Sequence, residues 1–285
     1  MISIIIPTHN SFKLLPCLLG NIKKQTIFDY ELLILDSSSI DDTVCIARSF
    51  GAKVMVIPKE TFDHGGTRTL GGKEARGEIL IYMTQDALPE SEDSIEKLIR
   101  PLLENEEIGA AYGRQLPHPG ATPFAAHLRA FNYPPNSRVT CLEDGKKLGI
   151  KAPFISNSFS AYKKRALEEV GWFKSGLPMC EDTYAGSKLL LAGYKLAYVA
   201  DSRVYHSHNY TALEEFKRYF AIGSFHKAEE WIIREFGKAG GEGLRYVRSE
   251  LAYLAGLHKY HLLPLSVFRN ALKFLGYKMG RNHKR

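Results

Sequence analysis

Residues 31–43 read ELLILDSSSIDDT. The apolar run Glu31–Leu35 stops at an acid, a polar cluster follows, and Asp41–Phe50 then reads as a helix with an Asp at its start. A run without polar alternation predicts a strand buried on both faces, as in parallel sheets covered by helices. The same order repeats on either side. Ile2–Ile6 is a strand, and residues 12–24 place Leu14, Leu15, Leu18, Leu19 and Ile22 at helical spacing. Lys53–Ile57 is a third strand, followed by a helix from about Thr67 to Ala75, a fourth strand at Glu78–Met83 and a helix at Ser94–Leu103. Residues 1–115 thus read as an α/β, Rossmann-like nucleotide-binding half. Ligands on such sheets sit beyond the carboxyl ends of the strands, and polar clusters lie there: Pro7–Asn10, Asp36–Asp42 and Thr84–Pro89.

From 116 to 152 the periodicity fades while Pro, His and Gly rise (LPHPGATP, NYPPNS), which predicts loops and short helices. Order returns with a strand near Asn157–Tyr162, a helix from Lys163, a helix over Glu181–Leu191 and a strand at Lys195–Val199. Residues 211–285 read as a helical extension, broken only at GKAGGEG, 237–243.

The 285 residues suit one large domain or a domain with an appendage, and 45% apolar content allows a sizeable core. A formal charge of +7 favours anionic partners: phosphates, nucleic acid or an acidic membrane face. Cys17, Cys45, Cys141 and Cys180 form no CxxC pair, which argues against a zinc knuckle and for a reducing cytosol. MISIIIPTHN has no basic leader region, and no apolar run approaches the ~18 residues of a spanning helix. The expectation is a cytoplasmic protein, soluble or resting on a membrane from the cytosolic side.

Chemistry concentrates in five places. Asp36, at a strand end, either caps the next helix or accepts hydrogen bonds from a base imide or ribose hydroxyl. Asp86, in Thr84-Gln85-Asp86, suits a divalent ion bridging two phosphates, since hard cations prefer oxygen ligands. In FDHGGTRTLGG, 62–72, His64, Gly65 and Gly66 precede a helix carrying Thr67 and Arg68. Glycine backbone, free helix N–H groups and a bidentate guanidinium would together hold a diphosphate. Glu181 and Asp182 open a helix, where acids either stabilise the dipole or hold a general base rigidly. His206 and His208 follow a strand; at i, i+2 on extended chain they should face opposite ways, so one of them, His206 in preference, would reach a given ion.

Together these residues resemble family 2 inverting glycosyltransferases of the GT-A fold, a Rossmann-like mixed, mostly parallel sheet with helices on both faces. The carriers are PTHN after the first strand, DSSSIDDT after the second, TQDA after the fourth, ED opening a later helix and VYHSHN beyond it. FDHGGTR paired with TQDA resembles the bacterial rhamnosyltransferases that build O-antigen and other surface polysaccharides from dTDP-L-rhamnose. The resemblance implies a nucleotide-sugar half at 1–115 and an acceptor half at 116–210. It implies that Pro7, Thr8 and Asn10 border the nucleotide, that Asp36 contacts base or ribose, and that His64, Gly65 and Arg68 line the diphosphate. Asp86 would be the last acid of the family's DxD, binding Mg²⁺ or Mn²⁺ with His206 or His208. Asp182 would be the catalytic base, supported by Glu181. Thr84 stands where the first DxD acid belongs and Gln85 is the middle residue, which removes a carboxylate usually available to ribose or metal. The acceptor would be a saccharide or a lipid-linked saccharide.

Residues 264–285 carry Arg269, Lys273, Lys278, Arg281, Lys284 and Arg285 and no acid. Leu265, Phe268, Leu272 and Leu275 fall near helical spacing, so the segment is either a basic amphipathic helix on anionic lipid at the inner face of the plasma membrane or a cap packed on the domain or a second subunit. Two rivals compete with glycosyl transfer. A nucleotidyltransferase making the activated sugar would want a glycine-rich basic signature near the first strand, which PTHNSFK lacks. A nucleic-acid-binding protein is suggested by the pI near 9.1, but the charge is scattered before the tail and no recognition motif is present, so nucleic acid is not expected as a partner.

Overall fold

The computed structural model describes residues 1–238 and 240–283; Ala239 of the glycine break and the tail residues Lys284 and Arg285 lie outside the described residues. In chain order the elements are β1 (Ile2–Thr8), α1 (Leu15–Lys23), β2 (Tyr30–Asp36), α2 (Thr43–Ser49), β3 (Lys53–Val56), α3 (His64–Glu74), β4 (Ile79–Met83), β5 (Leu88–Pro89), α4 (Ser94–Glu104), β6 (Ile108–Leu116), α5 (Pro123–Asn132), β7 (Arg138–Thr140), α6 (Gly145–Leu148), β8 (Phe159–Lys163), α7 (Lys164–Glu169), α8 (Glu181–Leu191) and β9 (Lys195–Tyr205). Four helices follow: α9 (Ala212–Ala228), α10 (Glu230–Phe236), α11 (Glu242–Gly256) and α12 (Leu263–Asn282).

Among the described residues one sheet runs β3-β2-β1-β4-β8-β6-β9-β5, with β7 also on β9. β1 to β4 are parallel neighbours, β8 enters antiparallel between β4 and β6, and β6 and β9 are parallel. Each face carries its own apolar cluster: Ile4 and Ile6 point into one with Leu18 and Leu98, Ile5 into the other with Tyr82, Tyr162 and Phe173. Burial on both faces is what the unalternating runs required.

The structure differs from expectation where local pattern was weak. Ile108–Leu116 is a strand that IGAAYGRQL, rich in small residues, did not announce. Leu14 lies outside α1, 47% exposed. α3 begins at His64, three residues earlier than Thr67, because Asp63 caps it: its carboxylate accepts from the Gly65 and Gly66 N–H groups at 3.1 and 2.9 Å. Those two amides are therefore used by the cap and are not free for a diphosphate. The glycines answer to packing instead. A Cβ at Gly65 would overlap the Lys174 carbonyl oxygen, and one at Gly71 would come 2.6 Å from Ile5 and Leu35 side-chain carbons.

Of the two readings of the C-terminal helix, the structure shows it packed against α9. Its basic side chains do not make a free cationic face, because α9 offers Glu215 to two of them: Arg269 Nε at 2.9 Å and Lys273 Nζ at 3.2 Å. No described helix is long and apolar enough to cross a membrane.

Candidate active site

The site begins with strand ends. β5 follows Asp86 by one residue and pairs antiparallel with the end of β9, Leu88 opposite Tyr205. That register brings the turn after β4 against the chain leaving β9. Asp86 consequently meets His206 Nε2 at 3.5 Å and His208 Nε2 at 3.6 Å. The expectation that only one histidine would reach an ion is corrected: β9 stops at Tyr205, so the i, i+2 alternation of a strand no longer applies, and both rings turn to the same carboxylate. The three ligand atoms lie within 4.8 Å of one another. Burial alone would raise Asp86, but the hydrogen bond and charge of His206, with the Thr84 hydroxyl and His208, hold it well below the usual carboxylate range. Burial pushes His208 down to about 4, which keeps its ring neutral and its lone pair available near neutral pH.

Gln115, on β6, settles the state of His206. Its side-chain Oε1 accepts from the Arg129 guanidinium, and its amide nitrogen donates to Ser156 Oγ at 2.9 Å, so the amide cannot flip. His206 Nδ1 lies 2.9 Å from the same oxygen and must be the donor. The Nε2 facing Asp86 is thereby left to take a proton or a cation.

The second group opens α8. Its first two residues are acids, and the preceding Cys180 sits at φ 67°, a left-handed conformation uncommon outside glycine. Glu181 is buried and paired with Arg68 at 3.2 Å; Asp182 is half-buried and, among the described residues, has no cation bonded to it. Asn157 joins the two. Its oxygen accepts from Ser160 Oγ and Tyr162 Oη at 2.9 and 2.8 Å, which aims its amide nitrogen at Glu181 Oε1, 3.2 Å away, while its backbone N–H donates to Asp182 at 3.2 Å. Burial, then the charge of Glu181, pushes Asp182 up to about 7 despite those backbone donors. Arg68 neutralises one acid and leaves the other poised near neutrality, the condition a general base needs. Sequence reasoning passed over Gln115 and Asn157; the one signal was an uncharged amide at the end or start of an otherwise apolar strand.

A cavity of about 540 Å³ is lined by His64, Arg68, Asp86, Asp182 and both histidines, and α9 closes it with Arg218 and Tyr219. His64 Nδ1 lies 3.3 Å from Arg68 Nη1, which can only donate, so the His64 proton is on Nε2; burial first, then Arg68, lowers its pKa and keeps the ring neutral. Pro7, Thr8, Asn10, Asp36, Gly65 and Gln85 do not line this cavity. Thr8, Asp36 and Gln85 knit the adjoining strand tips together: Thr8 Oγ1 donates to Asp36 at 3.0 Å, Ser39 donates twice to Asp36 at 2.8 and 2.6 Å, and Gln85 accepts from the His9 N–H at 2.9 Å. Asp36 is fully buried with both oxygens taken. In this arrangement Asp36 organises the loop from beneath.

The mixed, mostly parallel sheet and its flanking helices are those of the GT-A fold. The comparisons narrow the class. The model of Glycosyl transferase family 2 matches residues 3–171, and the chain belongs to that family. It is 43% identical over 283 residues to the O-antigen chain rhamnosyltransferase RfbN of Salmonella typhimurium, covering 99% of this chain and 90% of that one. It is 41% identical over 261 residues to the O-antigen chain rhamnosyltransferase WbaN of Salmonella anatum, covering 91% and 82%. Among solved structures, the mannosyltransferase PcManGT of Pyrobaculum calidifontis, in complex with GDP-Man and Mn²⁺, superposes with a TM-score of 0.63 at 18% identity, over 98% of this chain and 83% of that one. The protein is an enzyme of glycosyl transfer, which sets aside the nucleotidyltransferase and nucleic-acid-binding readings.

Proposed function

We propose that the protein transfers L-rhamnose from dTDP-L-rhamnose to a hydroxyl of a saccharide or lipid-linked acceptor in O-antigen synthesis, with inversion. Its near full-length similarity to two enzymes named O-antigen chain rhamnosyltransferases supports the donor and the pathway. The observation that carries the chemistry is the unequal acid pair: Glu181 is tied to Arg68, and Asp182 faces the cavity.

An acceptor hydroxyl is a poor nucleophile at neutral pH. Asp182 takes its proton as the new bond forms, and attack from the face opposite the departing nucleoside diphosphate inverts the anomeric carbon in one displacement. His64, through Nε2–H, and Arg218 are the donors in the cavity that suit the diphosphate oxygens. Pro7 and Asn10 border the nucleotide from the β1 tip, with Thr8, Asp36 and Gln85 holding that edge and Gly65 giving α3 its close seat. Asp86, His206 and His208 fit a divalent cation. Their mixed oxygen and nitrogen donors suit Mn²⁺ better than Mg²⁺, which prefers oxygen alone. A bound cation would neutralise charge on the leaving diphosphate. Gln115 keeps His206 Nε2 turned to it.

The test is Asp182→Asn. Transfer should fall by about 10²–10⁴-fold while dTDP-L-rhamnose still raises the melting temperature of the variant. Near-normal turnover would remove Asp182 from the base role. A panel of nucleotide sugars in which another donor stabilises the protein best would replace rhamnose.

A further inference from the structure

α12 is mounted inside out. The side turned to the protein carries Ser266, Arg269, Lys273, Gly276 and Gly280, all buried. The opposite side carries Val267, Phe268, Phe274, Leu275 and Met279, each 48–64% exposed. A helix on a globular protein ordinarily does the reverse.

The inner side is accounted for. Gly276 and Gly280 let the backbone of α12 lie on that of α9, since a Cβ at Gly276 would come 2.5 Å from the Phe216 carbonyl oxygen and one at Gly280 would overlap that of Phe220. Arg269 and Lys273 end on Glu215, and Ser266 and Asn270 donate to Glu250 of α11 at 2.6 and 2.7 Å. Polar groups this well partnered fix which way the helix faces. The outer stripe runs roughly 18 Å along the helix and continues at its start with Leu265 and Tyr260, 41% and 57% exposed. A contiguous apolar surface of this kind marks a contact.

We propose that the outer face of α12 rests on an anionic lipid surface. Charge decides between lipid and a second copy of the chain. Among the described residues of 211–283, nine Lys and Arg are exposed against three Glu, and no acid follows Glu250. A second copy meeting on this face would set Lys259 and Lys278 against like charges with no acid after Glu250 to answer them, whereas anionic headgroups complement them. The arrangement differs from the basic helix read in the sequence: apolar side chains enter the lipid, and Lys278 and Lys259 lie among the exposed cations around them. Lys273, on the inner side, lines the catalytic cavity with Arg218 and Tyr219 of α9. One helix, about 10 Å thick, therefore separates cavity from bilayer. The use of that proximity rests on the proposed lipid-linked acceptor; the contact itself does not.

The full chain is floated with vesicles of phosphatidylethanolamine and phosphatidylglycerol, and with phosphatidylcholine vesicles as the neutral control. Wild type should bind the anionic vesicles and leave the neutral ones. The triple variant Phe268→Ser, Phe274→Ser, Leu275→Ser should lose at least about tenfold in affinity while keeping its melting temperature and its transfer to a soluble acceptor. Those two readouts separate this contact from the catalytic reading, which Asp182→Asn tests alone. Wild type that fails to bind anionic vesicles, or a triple variant that binds them equally well, overturns the proposal. So does a wild-type dimer, broken by the triple substitution, in place of vesicle binding.

Discussion

Asp86 and Asp182 line one cavity and are driven in opposite directions. Both are partly buried, and burial penalises the charged form of each. Asp86 faces two imidazoles and is held below the usual range; Asp182 adjoins a second carboxylate and is pushed up to about 7. The difference lies in the neighbours and not in the residue. β5 pairing with β9 gives Asp86 its histidines, and the first turn of α8 gives Asp182 its glutamate. One acid is held in its charged form, and the other takes up a proton near neutrality.

Replacing each with Asn should expose that opposition in stability. The raised folded pKa of Asp182 means the native state keeps a proton that the unfolded chain releases above pH ~4. Wild type therefore loses stability as pH rises from about 4 to about 7, and Asp182→Asn removes that loss. Its melting temperature should gain on wild type between pH 4.5 and pH 8, by several degrees. For Asp86 the sign reverses. Its depressed pKa contributes stability above the unfolded value, lost only as pH falls below about 4. Asp86→Asn should therefore fall behind wild type as pH rises from about 3 to about 5. Gaps of the same sign for the two variants would break the comparison.

The next effect concerns the cation end alone. If Gln115 matters as an acceptor for His206 Nδ1–H, Gln115→Glu keeps that acceptor and Gln115→Leu removes it. Mn²⁺ affinity, measured by calorimetry on the sugar-free protein, should fall by about 10–100-fold for Leu and stay near wild type for Glu. Equal losses would mean that the position serves only packing. Binding absent from wild type would retire the cation site itself.

Much of this was legible in the chain. Unalternating apolar runs located β1 to β4, and α8 spans Glu181–Leu191 as its pattern indicated. The acids at the strand tips and at the start of α8 were visible because each lies beside a strong local signal. What escaped depends on contacts distant in sequence. Two residues, Leu88 and Pro89, carry no periodicity, yet their pairing with β9 brings Asp86 to both histidines. Gln115 and His206 are 91 residues apart. Asp63 reads as one acid among several, yet capping α3 consumed the amides expected to hold a diphosphate. α12 read either as a basic helix on lipid or as a cap packed on the domain or a second subunit, and nothing in its own sequence reveals that Glu215 on α9 takes two of its cations.

The smallest effect probes how Asp182 is mounted. Asp86 is not among the described residues with positive φ, whereas Cys180, immediately before the acid pair, is held at φ 67°. A side chain there costs about 1–2 kcal/mol that glycine does not pay. Glycine loses more chain entropy on folding, about 0.5–1 kcal/mol in ordinary backbone. If the left-handed conformation is held as firmly as the structure indicates, the first term wins. Cys180→Gly should then be more stable than Cys180→Ala by about 1 kcal/mol, a shift of about 2 °C in a chain of this size. Both variants lack the thiol, so their difference isolates the backbone. Alanine equal to or above glycine in calorimetry would mean that this residue relaxes, and that the first turn of α8 does not hold Asp182 as rigidly as the β5–β9 pairing holds Asp86.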